Sequence, residues 1–253
     1  MTTGNSHDRA TGSESAASDL SGLCRTGGIA AFVLIVYCLA TIIQVVVLGG
    51  PPTTAAEAFT LLQKNKMVGL LRLDLPTTIA MPLYYFLVLG LFAALRHTDR
   101  ANAILSTALT LVGVTLFLAM PTGLSMVPLS ERYAAATTEA LRIQLQAAGE
   151  AILATYIWHG TGAMLGGILL QGGLVLISVV MLRSRIFSKT TAYLGVLTHG
   201  LDLAHIVVGL LLPRFGVVLM AIAGPLYPVW FLLVGRRLLQ LATRNEARQC
   251  SAA

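Results

Sequence analysis

Charge is what this chain has least of. Asp, Glu, Lys and Arg make up only 11% of its 253 residues, where a soluble domain carries about 25%. So few ions mean an apolar medium outside the fold as well as inside it, which argues against an ordinary soluble domain. Cysteine is scarce too. Cys24 and Cys250 fall in polar tails and Cys38 in an apolar run, so no disulfide framework is expected. There is no Gly-rich phosphate loop and no Ser nucleophile motif, which removes the familiar nucleotide and acyl-transfer classes. No lysine lies in the middle of an apolar run, so a retinal Schiff base has no anchor. Two stacked haems would need about four spaced histidines, and only His159, His199 and His205 are available near and inside the fourth and fifth runs. No cofactor and no resident metal are expected.

What is present is apolar sequence, 56% of the chain, with a mean hydropathy of +0.78. A span needs roughly 20 apolar residues. Six runs qualify: Gly28 to Leu48, about Leu70 to Leu95, Ala101 to about Met120, Ala151 to Leu182, Thr191 to Leu212 and Val217 to Gly235. The expected fold is an all-α membrane protein, a bundle of about six transmembrane helices with two short extracytoplasmic amphipathic helices. One of these opens at Thr54 and Glu57, spaced as a capping box, and closes at Lys64 and Lys66. The other covers about Ser130 to Glu150, where Leu141, Leu145, Ala148 and Ile152 recur at helical spacing. The fourth run contains no charge over Ala151 to Leu182, so it is expected to merge with that second surface helix. Residues 1–26 are polar and read as a disordered cytoplasmic tail, 27–240 as the six-helix domain, and 241–253 as a second cytoplasmic tail. No cleavable leader is expected, because no apolar stretch precedes the first span.

The formal net charge of +6 does not point to nucleic acid, because the basic residues cluster at the ends of apolar runs. Eleven of the 17 Lys and Arg fall on one side of the alternating topology, including every tight cluster. The positive-inside rule then puts both termini in the cytoplasm of a multi-pass inner (plasma) membrane protein. Trp158 is expected at the outer interface and Tyr193 at the inner one. The lipid bilayer is the expected partner, with a homo-oligomer left open by the small-residue face Gly162, Gly166, Gly167, Gly172 and Gly173. Thr53-Thr54-Ala55-Ala56-Glu57-Ala58 also echoes Thr137-Thr138-Glu139-Ala140, a similarity that two Ala-rich helix starts account for.

The segments GLLRLDL (69–75), LSERYAAATTEA (129–140), AAGEAILATY (147–156) and VMLRSRIFSKTTAYLGVL (180–197) resemble the bacterial membrane family called domain of unknown function 4386. The resemblance covers roughly residues 25–240 and implies a multi-span bacterial membrane protein without an assigned activity. It carries no catalytic residues to transfer. The three histidines at the fourth and fifth spans depart from the family's pattern.

The candidate chemistry lies in the few polar residues placed where lipid should be. Asp202 is the acidic residue deep in the fifth span, where a charge costs at least ~2.5–3.5 kcal/mol. It should therefore face the interior, paired or protonated. His199 and His205 stand three residues to either side, and Gln171, Tyr84 and Tyr227 reach similar depth in other spans. Arg72 and Asp74 sit near the outer end of the second span, with Glu150 and Asp74 as the expected partners of Arg72. These residues read as an outward-opening polar pocket for a small or lipid-like ligand. The alternatives are an intramembrane enzyme, either a metal-dependent hydrolase or an acid-initiated cyclase, using Asp202 with His199 and His205, and a structural or partner-binding subunit. The sequence does not decide whether the protein is an enzyme.

Overall fold

The computed structural model describes the backbone of residues 7–157 and 160–250, with side chains over 20–157 and 160–244. Trp158 and His159 lie outside the described residues. Among those described there are helices and no strands. In chain order they are α1 (His7–Leu48), α2 (Ala55–Lys64), α3 (Lys66–Leu73), α4 (Leu75–Ala80), α5 (Leu83–Leu95), α6 (Arg100–Leu118), α7 (Met126–Ala135), α8 (Glu139–Thr155), α9 (Thr161–Arg183), α10 (Lys189–Gly209), α11 (Pro213–Ala223) and α12 (Leu226–Cys250).

The chain is an all-α membrane bundle. Six helical stretches are long and apolar enough to cross a bilayer: Leu20–Leu48, Leu75–Leu95, Arg100–Ala135, Thr161–Arg183, Lys189–Gly209 and Pro213–Arg244. Large apolar side chains also point outward, with Val46 at 79% and Leu211 at 84% exposure. Such faces are stable against lipid and costly against water.

Several boundaries differ from the sequence reading, each for a local reason. The first helix begins at His7, inside the stretch read as a disordered tail, and its residues from 20 onward are packed. Cys24 is buried, and the Ser21 hydroxyl donates to Ala242 O at 3.1 Å. The second surface helix is two helices, α7 and α8, parted at Ala136, whose extended backbone ends the first. Thr138 caps the second by accepting from Leu141 N. The fourth span does not merge with α8. The chain turns after Thr155, where a Cβ on Gly160 would lie 2.3 Å from Thr155 O, and Ile157 N donates to Pro121 O. Only glycine admits so close a backbone approach. In α2 the cap is Thr54, as expected, but the Glu57 carboxylate accepts its reciprocal bond from Thr53 N (3.0 Å) rather than from Thr54 N.

The chain divides into two compact units. The first comprises Met1–Ile35, Leu83–Leu111 and Gln171–Ala253. Its core holds Leu34, Leu87, Leu91, Leu174, Ile177, Trp230, Phe231 and Val234, all fully buried. Helix α1 meets α5 at Gly27 and Gly90, where an added Cβ would stand 2.9 Å from backbone. Helix α9 meets α6 where Ser106 donates to Gly173 O at 2.9 Å. The second unit comprises Val36–Pro82 and Val112–Leu170. There α2, α7 and α8 bury Phe59, Met126, Leu153 and Tyr156 together, the apolar faces of helices whose other faces stay polar.

Candidate functional site

Helix α10 brings two polar side chains inward on one face. His199 is fully buried and Asp202 is 9% exposed. Their three-residue spacing stacks them one turn apart. Helix α12 answers with a pair at the same spacing, Tyr227 and Trp230, and α9 supplies Gln171. Pro225 and Gly224 interrupt the helical run between α11 and α12, so the second pair begins in the first turn of a new helix.

Four of these side chains form one hydrogen-bonded chain. Gln171 Nε2 donates to Asp202 Oδ2 at 2.6 Å, and Tyr227 OH donates to the same oxygen at 2.5 Å. Oδ1 takes no part in either bond. The Gln171 amide then presents Oε1 to His199 Nδ1 at 2.8 Å. A carbonyl oxygen only accepts, so His199 carries its proton on Nδ1 and in the neutral ring keeps a lone pair on Nε2. That Nε2 is buried with no hydrogen-bond partner among the described residues, and so is Trp230 Nε1. The His199 ring stands edge-on to Trp230 (centroids 4.5 Å apart, 85°) and to Tyr227 (5.3 Å, 79°). Gly195, one turn before His199, makes room for this contact, since a Cβ there would lie 2.4 Å from both Trp230 Nε1 and Ser178 Oγ.

The remaining candidates divide between the units. Tyr84 belongs with the cluster: it is buried, packs edge-on to Phe231 at 6.0 Å, and Phe231 in turn packs on Tyr227. His205 does not join it as a partner of equal standing. Its Nδ1 bonds Gly216 O at 2.9 Å, where α11 folds back against α10 with Gly216 next to Gly209. Among the described residues no three His, Cys, Asp or Glu side chains come together as a ligand set. The His199, Asp202 and His205 array is therefore not assembled as a metal centre.

Arg72 and Asp74 lie in the second unit and have their own partners there. Arg72 donates to Glu57 Oε1 (3.1 Å) and, through Nε, to Gly50 O (2.8 Å), rather than to Glu150 or Asp74. Glu150 instead accepts from Ala55 N at 2.8 Å, at the start of α2. Asp74 stands at the break between α3 and α4 and accepts from Gly123 N at 2.8 Å, while its buried Oδ2 has no partner among the described residues. Burial raises its carboxyl to about 6, against the opposing pull of the Gly123 bond.

Trp230 is the member of the cluster that sequence reasoning missed. Its signal was available: three residues after Tyr227, it shares a helix face with a residue already singled out. Tyr193 is 64% exposed.

Compared with protein-family models, curated proteins and solved structures, the chain matches none.

Proposed function

We propose that this chain binds a small or lipid-like molecule within the membrane through the polar cluster around Asp202. The observation that supports this reading is the carboxyl itself. It lies inside the span formed by α10, with both protein donors on Oδ2 and its other oxygen outside those bonds. A guest with a hydroxyl or amine on an apolar body would supply the missing donor at Oδ1. A carboxyl kept at this depth for packing alone is costly, which favours a role beyond joining helices.

The same proposal includes placement in a bacterial inner membrane with both termini in the cytoplasm, from the basic clusters beside the spans. It also includes the resemblance to domain of unknown function 4386 carried by the four quoted segments. The test is chemical extraction of the purified protein. Organic extracts of wild type and Asp202→Asn are compared by mass spectrometry. A molecule enriched in wild type and missing from the variant is expected; identical extracts from two folded proteins would leave Asp202 as a packing residue.

A further inference from the structure

A separate feature of the first unit lies where α5 ends and α6 begins. Phe92, Arg96, His97 and Arg100 line a cleft of about 430 Å³. Phe92 and Arg96 stand one turn apart at the end of α5, where Arg96 N donates to Phe92 O, and Arg100 opens α6 on the other side of the cleft's loop. The cleft falls where the span Leu75–Leu95 ends and the span Arg100–Ala135 begins.

Several charges of the unit are already committed. Asp99 is the nearby acid, and it accepts from Asn102 N (3.2 Å), Asn102 Nδ2 (2.7 Å) and Arg183 Nη1 (2.8 Å). The Asn102 bonds, with Arg183 beside them, hold its carboxyl below the usual range. Elsewhere in the unit Arg237 is engaged with Ile186 O and Gln240, and Lys189 with Leu182 O. Arg96 and Arg100 differ. Neither makes an ion pair among the described residues, and the bond found for Arg96 runs from its Nε to His97 Nε2 (3.0 Å). That bond leaves the terminal guanidinium nitrogens of Arg96 available and directs the remaining His97 N–H elsewhere. Two guanidinium groups beside the Phe92 ring fit a tetrahedral oxyanion.

We propose that this cleft binds a phosphate-bearing anion, either the headgroup of a net-anionic phospholipid, with Phe92 against its glycerol end, or free phosphate. This does more than set orientation: a positive-inside cluster needs only charge, whereas a site needs donors that converge and lack internal partners.

The test uses the full chain in a mild detergent, examined by native mass spectrometry with phosphatidylglycerol, phosphatidylcholine or inorganic phosphate added in turn. Wild type is expected to retain phosphatidylglycerol about tenfold over phosphatidylcholine. Arg96→Gln with Arg100→Gln should abolish that preference, while Arg236→Gln, an exposed arginine outside the cleft, should preserve it. Phosphate adducts that displace phosphatidylglycerol and vanish in the double variant would support the same site with free phosphate as its source. Wild type with neither a lipid preference nor a phosphate adduct would overturn the proposal, without relying on any variant to fold. An equal loss in Arg236→Gln would overturn it too, reducing the effect to surface charge.

Discussion

Tyr227 on α12 donates its hydroxyl to Asp202 Oδ2 on α10 at 2.5 Å, on the oxygen that Gln171 of α9 also reaches. One carboxyl oxygen thus joins three helices of the first unit. Interhelical hydrogen bonds in membranes average about 0.6 kcal/mol and reach about 1.7. Tyr227→Phe keeps the ring contacts and removes only this donor. It should cost about 0.5–1.5 kcal/mol, read as a lower unfolding midpoint in detergent, with helix content unchanged.

Gly195 tests the packing behind the cluster. A methyl there would meet Trp230 Nε1 and Ser178 Oγ at 2.4 Å, whereas a methyl on Gly200, five residues further along the same helix, meets nothing within 4 Å. Overpacking typically costs about 1–3 kcal/mol, while Gly to Ala in an open helical position gains up to about 1 kcal/mol. Gly195→Ala should therefore lower the midpoint of thermal unfolding, and Gly200→Ala should leave it level or raise it. Equal effects would mean that the approach of α10 to α12 is looser than described.

Asp74 gives a pH signature in the second unit. Its carboxyl is raised by burial to about 6 from an ordinary value of 3.8. Between those values the folded state holds the proton more tightly than the unfolded chain does, so this residue's contribution to stability falls as pH rises from about 4 to about 6, then levels off. Asp74→Asn keeps an oxygen for the Gly123 amide and removes the titration. Wild type minus Asp74→Asn, followed as the unfolding midpoint at a series of pH values, should slope downward across that window. A flat difference would place Asp74 in contact with water.

Much of this arrangement could be read from the chain, and the limits are instructive. The spans were legible because a run of some 20 apolar residues has one stable outcome in lipid. Asp202 was legible because an acid that deep cannot face outward, and Gln171, Tyr84 and Tyr227 because depth along each span could be counted. The fate of His205 was not, since it depends on α11 folding back to offer Gly216 O. Nor was the partner of Arg72: Glu57 and Glu150 are both acids next to apolar helices, and only the course of the Gly49–Gly50 turn brings the first within 3.1 Å. The break after Thr155 escaped because the sequence there stays apolar, so that hydropathy could not mark a turn set by Gly160 and Pro121.

The most direct test of the central claim is native mass spectrometry of the detergent-purified wild type beside Asp202→Asn, with unfolding midpoints measured on the same samples. The account predicts that wild type carries a bound small or lipid-like molecule, that Asp202→Asn has lost it, and that the variant's midpoint falls by only a few degrees. A wild type that flies bare, or a well-folded variant that keeps the same bound mass, would contradict it and return the cluster to a purely structural role.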